Sequence, residues 1–596
     1  MRWIKRWAVL LLGATVIGGC AGPRTDLATT EDGTRFSASP HSITAKRYMA
    51  AAANPIAADI GRDILRAGGS AVDAAIAIQL ALTIVEPNSS GIGGGAFLMH
   101  WDGQRVRAFD GRETAPLAAT ENLFLTPEGK PLAFYDAVVG GRSVGTPGVL
   151  RMLELAHREY GKLSWARLFE PAIKLAEDGF AISPLLYTTL KNEKYLVNDA
   201  NAAKLFYEPN GEPRAIGSVI RNPALAATLR DIAQRGADAF YSGPIAADIV
   251  RTVRSHPNAG YLAENDLAAY RAKERQAVCS DYKRYRLCGM PPPSSGGIAI
   301  AQIFGMLAQR NIATVPPIAQ PNANEARLEL QPDAVHLLSE IERLAFADRG
   351  LYVADSDFVF VDVNGLIDAR YLAQRAVLIT DRSMGRAEPG TPSGVKSAYA
   401  PDPSPLKTAT SHISVVDADG HAVSMTTSIE DNFGARLMTR GFLLNNQLTD
   451  FSFAPNDAGK PIANRVQPGK RPRSSMSPTL VFDRQTGQLL ASVGSPGGSQ
   501  IIGYVARTLV GVLDWNLDIQ TAINMPNFGS RNGPTELEKG RFSADLVNAL
   551  RTRGHDVREI EMMSGLQGIV RVRLPDGSMG WSGGADPRRE GVARGD

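Results

Sequence analysis

The chain has 596 residues, of which 44% are hydrophobic and 21% charged, so its composition predicts a globular protein with an ample core and excludes extended disorder. Its 64 Lys and Arg residues nearly balance its 61 Asp and Glu residues, which leaves a net charge of +3. Since the sequence also lacks a basic block and an aromatic-basic stripe, no nucleic-acid partner is predicted.

The N-terminus has the pattern of an exported lipoprotein. Basic residues within the first six precede an apolar run at 7–17, which is too short to span a membrane and is typical of a secretory signal. The run ends in IGGC, which resembles a bacterial lipobox, so we expect 1–19 to be a signal peptide and Cys20 to be lipidated. An ordinary signal peptide with an incidental cysteine is the alternative. Residues 20–40 are polar and predict a tether, and because no aspartate follows Cys20 we expect a periplasmic protein anchored to the outer membrane.

Helical patterns dominate the first half of the chain. Asn54 is placed as an N-cap, Pro55 at the first helical position and Gly68 after the helix end. An apolar helix follows, then a loop with the sequence NSSGIGGG and a strand through 97–101. Further helices are predicted at 148–160, 164–178, 224–235, 243–254, 297–310 and 332–348.

The remaining cysteines, Cys279 and Cys288, lie in the segment AVCSDYKRYRLCG. Its pattern predicts two short strands around a turn at Lys283-Arg284. With a two-residue turn the cysteines fall opposite each other as a non-hydrogen-bonded pair, where side chains come closest. We therefore predict a cross-strand disulfide in this exported protein; two free thiols are the alternative.

The pattern changes to strands after residue 410. The preceding segment, 381–409, is rich in Pro, Gly and Ser and predicts an exposed loop or a boundary. Helices outside and antiparallel strands inside predict an α+β layered fold. The predicted strands are 411–417, 421–428, 440–445, 477–483 and 488–493, followed by helices at 498–513 and 542–553 and a closing hairpin that turns at 575–577.

Two motifs in the first half match catalytic patterns but are better explained as turns. GRSVG at 141–145 matches a nucleophile elbow, yet Pro147 would break the helix that must follow the serine. GIGGG at 91–95 lacks the lysine and the strand-helix context of a phosphate loop, so it predicts a tight packing turn. The eight histidines include no HExxH pair and the chain has no cysteine cluster, so we predict neither a metal nor a cofactor.

Thr410 stands between the Pro-rich segment and a clean hairpin whose turn is Asp419-Gly420. A threonine hydroxyl needs a base, and one recurring base is the residue's own α-amine, which is free only if the chain is cut between Ala409 and Thr410. The hydroxyl itself could make that cut by attacking the preceding carbonyl carbon and shifting the acyl group from nitrogen to oxygen. Most threonines that begin strands do no chemistry, so the local pattern leaves both interpretations open.

Longer motifs favour the catalytic interpretation. Together they resemble the γ-glutamyltransferases, N-terminal-nucleophile hydrolases that cut themselves ahead of a catalytic threonine. The resemblance covers nearly all of 42–591 and implies a four-layer αββα sandwich built jointly by two fragments, a large subunit at 41–409 and a small subunit at 410–596. The motifs are GGSAVDAAIA, EPNSSGIGGG, DGRETAP, GTPG and PPPSSGG before residue 410, and TSHISVVDADGHAVSMTTSIEDNFG, GFLLNNQLTDFS, KRPRSSMSPT, GSPGGSQII and GGADPRREG from 410 onward.

The resemblance implies a catalytic role for four residues. Thr410 would be the nucleophile and its own amine the general base, while the hydroxyl of Ser428 would support the nucleophile after cleavage. The backbone N–H groups of Gly497 and Gly498 would form the oxyanion hole, where donors matter because negative charge develops on the substrate oxygen.

The resemblance also implies how the substrate is held. Arg112 would clamp the α-carboxylate of a γ-glutamyl group with its planar guanidinium. Ser474 and Ser475 would add hydroxyl groups to the same carboxylate. Gln447 and Asp450 would face the α-ammonium. Glutathione or a similar amide would be the donor, and water, an amino acid or a peptide would be the acceptor.

The sequence departs from the family pattern in two places. At the position of Glu430 the family usually has Asn, whereas acylase-like branches have Glu. The carboxylate of Glu430 would favour an ammonium on the substrate or indicate a different acyl group. The stretch 451–473 is short and has no Tyr or Trp, so we expect no aromatic lid and a more open site. A cephalosporin- or glutaryl-type acylase is therefore one alternative. A non-catalytic lipoprotein that binds γ-glutamyl peptides or scaffolds the envelope is the other.

Overall fold

The computed structural model describes residues 41–319, 328–392, 397–402 and 409–596. The predicted signal peptide and tether, with Cys20, lie outside these residues, as do two pieces of the Pro-rich segment at 393–396 and 403–408. Of the helices described, none combines the length and the apolar character that a membrane crossing requires.

Strands from both sides of residue 410 build the centre of the protein. In chain order the strands of the described residues are β1 Ile43–Ala45, β2 Met49–Ala52, β3 Gly95–Trp101, β4 Val106–Gly111, β5 Phe180–Ala181, β6 Val219–Ile220, β7 Lys273–Arg275, β8 Val278–Tyr282, β9 Tyr285–Gly289, β10 Ile318–Ala319, β11 Leu328–Glu329, β12 Ser411–Val416, β13 Ala422–Ser428, β14 Met438–Thr439, β15 Phe442–Leu443, β16 Asn456–Asp457, β17 Lys460–Pro461, β18 Thr479–Asp483, β19 Leu489–Gly494, β20 Phe528–Gly529, β21 Thr535–Glu538, β22 Val557–Ile560, β23 Gln567–Arg573, β24 Met579–Ala585 and β25 Val592–Gly595.

Helices are interleaved with these strands along the chain. In chain order the α-helices of the described residues are α1 Pro55–Arg66, α2 Ala71–Val85, α3 Phe134–Val138, α4 Val149–Tyr160, α5 Trp165–Asp178, α6 Pro184–Asn192, α7 Ala200–Phe206, α8 Pro223–Arg235, α9 Asp238–Tyr241, α10 Pro244–Ser255, α11 Glu264–Ala269, α12 Gly296–Leu307, α13 Pro332–Tyr352, α14 Val363–Leu366, α15 Ala369–Val377, α16 Ile501–Leu513, α17 Ile519–Asn524 and α18 Ala544–Thr552.

Two seven-stranded antiparallel sheets pack face to face. The first has the order β25-β2-β12-β13-β3-β4-β7 and the second the order β1-β24-β23-β19-β18-β9-β8. Helices α1, α2 and α4 cover the outer face of the first sheet, and α12, α16 and α17 cover the second. This αββα layering confirms the predicted fold class. Each sheet takes strands from both sides of residue 410, so the two predicted fragments would share one core.

Side chains of β12 alternate between the two faces of the first sheet, as the strand period of two requires. Ile413 and Val415 enter the core beneath the helices. Ser414, between them, faces the second sheet, where the hydroxyl of Ser492 donates to its oxygen at 3.1 Å. A hydrogen-bonded polar layer between the sheets therefore supports the strand that begins next to Thr410.

Most predicted elements are confirmed. Asn54 caps α1 by accepting from the N–H of Ile56, and Pro55 opens the helix. The predicted strand at 440–445 was wrong in extent: Arg440 and Gly441 have φ of +47° and +85° and form a tight turn, which leaves only Phe442–Leu443 as strand. The predicted helix at 498–513 begins with a 3₁₀ turn and becomes α-helical at Ile501.

Both decoy motifs are turns, as predicted. The Ser143 hydroxyl is buried and donates to the carbonyl of Val138 at 2.6 Å, so it is not a displayed nucleophile. A Cβ at Gly93 or Gly94 would lie 2.1 or 2.2 Å from a neighbouring backbone carbonyl oxygen. Close packing therefore explains the glycines of that motif.

The structure joins Cys279 and Cys288 in the expected cross-strand disulfide. The two residues are paired across β8 and β9, and the turn at Lys283-Arg284 fixes that register. The hairpin lies at one edge of the second sheet.

Candidate active site

Thr410 and Ser428 lie at the adjoining ends of the two central strands β12 and β13. Ser411 pairs with Thr427 in the strand register, which brings the next residues outward, Thr410 and Ser428, together. Thr410 Oγ1 donates to Ser428 Oγ at 3.1 Å, and the N–H of Glu430 donates to the same oxygen at 2.9 Å. Both side chains are buried. The predicted nucleophile therefore has its predicted hydroxyl partner.

The backbone of Thr410 adopts a rare conformation in the uncut chain. Its φ is +142°, a value that β-branched residues almost never adopt. Sparsely populated backbone conformations of this kind cost about 1–3 kcal/mol. The residue is also only 3% exposed. The peptide bond between Ala409 and Thr410 is thus held at a strained, enclosed position.

Arg589 fixes the carbonyl group of Thr410. Its Nη1 donates to that carbonyl oxygen at 2.9 Å and to Glu86 Oε1 at 3.3 Å. Glu86 Oε2 in turn accepts from the Ser411 hydroxyl at 2.5 Å. Burial raises the pKa of the Glu86 carboxyl, and the nearby Arg589 opposes that shift. This network joins the start of β12 to the loop after α2 and to the C-terminal segment. Neither Glu86 nor Arg589 was predicted as a site residue, although they lie in the motifs EPNSSGIGGG and GGADPRREG.

Gly497 and Gly498 begin the helical turn that leads into α16. Their φ values are +133° and +57°, and a Cβ at Gly497 would lie 2.5 Å from the Tyr504 ring. The first N–H groups of a helix have no acceptor within the helix, and the helix dipole makes this end positive. Gly498 lines the cavity next to Thr410, whereas Gly497 is not among the lining residues. The turn is suited to stabilising an oxyanion.

One cavity contains nearly all the predicted site residues. It is open to solvent on one side, and both predicted fragments contribute to its wall. Of the segment 451–473, which was expected to be too short for an aromatic lid, only Arg473 lines it. The lining residues are Arg112, Arg349, Ala409, Thr410, Ser428, Glu430, Gln447, Thr449, Asp450, Arg473, Ser474, Ser475, Met476, Gly498, Ser499 and Ile501.

Arg112 and Asp450 form an ion pair in the wall of this cavity. The Arg112 side chain is 1% exposed, and its Nε and Nη2 also donate to the carbonyls of Pro472 and Arg473 at 3.2 Å each. Gln447 Nε2 donates to Asp450 Oδ2 at 2.8 Å. Adjacent positive and negative charges are complementary to the zwitterionic head of an amino acid, whose carboxylate and ammonium stand on one carbon.

Glu430 and the two serines complete the wall. Glu430 has a φ of +81°, and the side-chain amide of Asn446 donates to its carboxylate. Ser474 Oγ accepts from the N–H of Met476 at 3.1 Å. Ser475 Oγ accepts from Arg349 Nη2 at 2.7 Å, a contact that the sequence analysis did not anticipate. Arg349 itself was missed because it lies in the last turn of α13, where an arginine is common and gives no local signal of a site.

Glu113, directly after Arg112, was also missed. Its side chain is fully buried, and neither carboxyl oxygen has a hydrogen-bond partner among the described residues. Burial raises the pKa of this carboxyl to about 8, although Arg112 opposes the shift. The raised pKa favours the neutral form of Glu113, which weakens its attraction for Arg112 Nη1 at 3.8 Å.

A buried group of side chains that could bind a metal lies outside this cavity. It consists of His336, Glu340 and His555. His336 Nδ1 and His555 Nε2 are hydrogen-bonded to each other at 2.7 Å. The Ser383 hydroxyl donates to Glu340 Oε1 at 2.9 Å. These contacts account for the cluster as a buried hydrogen-bond network.

Comparisons with known proteins agree with this geometry. The family model described as gamma-glutamyltranspeptidase matches residues 57–595. The glutathione hydrolase proenzyme of Bacillus subtilis (strain 168) is 34% identical over 562 residues, which are 92% of each chain. That of Escherichia coli (strain K12) is 36% identical over 565 residues, 92% of this chain and 91% of the relative. The crystal structure of cephalosporin acylase from Bacillus halodurans superimposes with a TM-score of 0.79 at 27% identity, over 93% of this chain and 97% of the other.

Proposed function

The chain belongs to the γ-glutamyltranspeptidase family, and from this premise we propose that it cuts itself ahead of Thr410 and then moves γ-glutamyl groups through an ester on that residue. Hydrolysis or transfer of γ-glutamyl groups is the activity of the family. The observation that carries the finer proposal is the pairing of Thr410 with Ser428 on the wall of a cavity that also holds the Arg112–Asp450 pair.

Self-cleavage begins with attack of Thr410 Oγ1 on the carbonyl carbon of Ala409. The bond from that carbon to the Thr410 nitrogen breaks as the bond to oxygen forms, and the hydroxyl proton moves to the nitrogen, which gives an ester and a free amine. Water then hydrolyses the ester, so that Ala409 ends in a carboxylate and Thr410 begins a new chain. Strain at Thr410 favours the first step because the unusual torsion lies about the N–Cα bond next to the bond that breaks, and cutting the chain lets it relax.

Turnover follows the same chemistry with the substrate in place of Ala409. The free amine of Thr410 takes the proton from its hydroxyl, and the oxygen attacks the γ-carbonyl carbon of the donor. N–H groups of the Gly497–Gly498 turn stabilise the oxyanion. The amine of the leaving group departs with a proton from the Thr410 ammonium. Water or the amino group of an acceptor then attacks the ester and regenerates the hydroxyl.

Substitution of Thr410 tests this proposal directly. Thr410→Ala should give one uncut chain that does not release nitroaniline from γ-glutamyl-4-nitroanilide. Thr508→Ala is the matched control, because Thr508 is a buried threonine whose hydroxyl bonds within α16, outside the cavity. It should be cut and active. A Thr410→Ala protein that is cut and active would contradict the proposal.

A glutaryl- or cephalosporin-type acylase is the second candidate, supported by the fold similarity to the Bacillus halodurans cephalosporin acylase. We favour the γ-glutamyl donor because Glu430 adds a second carboxylate beside Asp450, and a glutaryl group has no ammonium to meet them. The wild-type protein should prefer γ-glutamyl-4-nitroanilide to glutaryl-4-nitroanilide, and Glu430→Gln should narrow that preference. A wild-type preference for the glutaryl substrate would favour the acylase.

The N-terminal sequence pattern and the motif resemblance support a proposal for the location and the chain organisation. We propose that 1–19 is removed, that Cys20 carries the lipid and that 20–40 tethers the enzyme in the periplasm at the outer membrane. The mature enzyme would then be a heterodimer of 41–409 and 410–596, with the tether still attached to the first. Mass spectrometry of the N-terminal peptide should find a chain that begins at Cys20 and carries the mass of a lipid; an unmodified Cys20 or a different first residue would contradict lipid anchoring.

A further inference from the structure

The turn that supplies the predicted oxyanion hole is contacted by an arginine outside the cavity wall. Ser499, which follows Gly498 in that turn, lines the cavity and is 4% exposed. Its Oγ accepts from Arg531 Nη1 at 3.1 Å. Arg531 lies in the loop between β20 and β21 and is not among the lining residues. The guanidinium therefore contacts the oxyanion turn through one hydroxyl group.

A carboxylate fixes the position of that guanidinium. Arg531 Nε donates to Glu536 Oε2 at 3.0 Å, and its Nη2 donates to Glu536 Oε1. Two parallel contacts of this kind fix the plane of an arginine as well as its position. The pair is largely shielded from solvent, with side-chain exposures of 22% for Arg531 and 14% for Glu536. A carboxylate on β21 thus directs Arg531 at Ser499.

The same carboxylate also reaches the next residue of the turn. Gln500 Nε2 donates to Glu536 Oε2 at 3.1 Å. Gln500 Oε1 in turn accepts from the hydroxyl of Tyr504 at 2.8 Å. The Tyr504 ring lies against Gly497, where an added Cβ would be 2.5 Å from it. Side-chain contacts of this network therefore fix the turn both before and after Gly498 in the chain.

We propose that Arg531, held by Glu536, is a positioning residue that orients the N–H groups of the oxyanion turn. This inference rests on the proposed γ-glutamyl chemistry, in which those groups stabilise the negative charge on the γ-carbonyl oxygen. Hydrogen-bond donors have this effect only when they are aimed at the place where the charge develops. Since neither Arg531 nor Glu536 lines the cavity, they act on the transition state through the turn.

Kinetics of the mature, cut enzyme test this role. Arg531→Gln should lower kcat for γ-glutamyl-4-nitroanilide about 10- to 100-fold, at or below the loss typical for deleting one oxyanion donor. KM should change less than about twofold, because the formation and the breakdown of the ester both pass through an oxyanion and slow together. Arg531→Lys should restore part of kcat, since it returns a donor without the fork. An unchanged kcat, or a loss confined to KM, would overturn the proposal.

Inhibitor binding separates the transition state from the ground state. 2-Amino-4-boronobutanoic acid carries boron in place of the γ-carboxyl carbon of glutamate. Thr410 Oγ1 adds to the boron and its proton passes to the α-amine of Thr410, which gives a tetrahedral anion with an oxygen in the oxyanion hole. Glutamate has the same head group and stays planar at this carbon. Arg531→Gln should weaken binding of the boronic acid about tenfold and of glutamate less than about twofold. Equal weakening of both would overturn the proposal.

A double-mutant cycle tests whether Arg531 acts through Ser499. Ser499→Ala removes only the hydroxyl group that Arg531 contacts, so it still tests the proposal if Arg531→Gln does not fold. It should lower kcat and weaken the boronic acid in the same way as Arg531→Gln. The double variant should be no slower than the slower single variant. Losses that multiply would show that the two side chains act independently and would overturn the proposal.

Arg440→Gln is the matched control. Arg440 is a partly exposed arginine that pairs with the carboxylate of Asp248, and neither residue lines the cavity. It should leave kcat, KM and both inhibitor affinities unchanged. If the wild type does not release nitroaniline from the anilide, the proposed function fails. If the wild type is active and Arg531→Gln behaves like Arg440→Gln, only the positioning role fails.

Discussion

Loss of the hydrogen bond from Arg589 to the Thr410 carbonyl should destabilise the protein and slow self-cleavage. Arg589→Met keeps an unbranched apolar stem and removes the charged guanidinium, so the Thr410 carbonyl loses a charge-assisted hydrogen bond, about 1.5–3 kcal/mol. Glu86, 4% exposed, also loses its cation. Breaking a buried pair from one side typically costs about 3–5 kcal/mol in total. The double variant Arg589→Met with Glu86→Gln removes the unpaired charge and should recover at least about 1 kcal/mol.

Self-cleavage should slow with the loss of this contact. If the loss of this contact raises the activation free energy of cleavage by about 1.4–2.8 kcal/mol, the cleavage rate falls about 10- to 100-fold. Cell-free synthesis with a radioactive pulse, followed on a denaturing gel, measures the cleavage rate. Urea unfolding of the same variants combined with Thr410→Ala, which keeps the chain uncut, measures their stability. Arg594→Met is the control, because Arg594 pairs with Asp59 in a partly exposed salt bridge on the same segment and should cost less than about 1 kcal/mol. Cleavage of Arg589→Met at the wild-type rate, or a double variant no more stable than the single one, would refute the reasoning.

Three further predictions concern other contacts. Above pH 8 the Glu113 carboxyl ionises beside Arg112 and competes with the carboxylate of the donor. KM for the donor should therefore rise above pH 8 in the wild type but not in Glu113→Gln. Parallel KM–pH curves for the two proteins would contradict this. Ser428→Ala removes the hydrogen-bond acceptor for Thr410 Oγ1 and for the N–H of Glu430. The rate of self-cleavage and kcat should both fall about tenfold. An unchanged cleavage rate on the gel would contradict a role of Ser428 in cleavage. Replacing Cys279 and Cys288 together by Ser should lower the free energy of unfolding by about 2.5 kcal/mol, because the disulfide closes a loop of only nine residues in the unfolded chain. The value of kcat/KM should not change. A large loss of activity would contradict this and show that the hairpin supports the site.

The local part of the site could be predicted from the sequence. The Asp419-Gly420 turn and the alternation of the flanking strands fix a register that brings Thr410 opposite Ser428. The disulfide followed from the same kind of counting across a two-residue turn. These contacts depend only on strand geometry, which short sequence patterns encode.

The long-range part could not be derived from local pattern. Arg112 and Asp450 are 338 residues apart, and their pairing was expected only because the motifs resemble a family. The strand Met49–Ala52 was missed because the sequence MAAA has low strand propensity; its place beside β12 in the first sheet makes it a strand. Arg349 and Arg589 act through tertiary contacts with residues more than 100 positions away, which no periodicity reveals.

The central claim is that a break in the backbone frees the amine that makes Thr410 reactive. Mass spectrometry of the purified active protein, with N-terminal sequencing of each chain, tests it most directly. The account predicts two chains, of which the smaller begins Thr-Ser-His-Ile at residue 410, and activity that appears at the same rate as the cut. Full activity in a protein that is still continuous from Ala409 to Thr410 would contradict it.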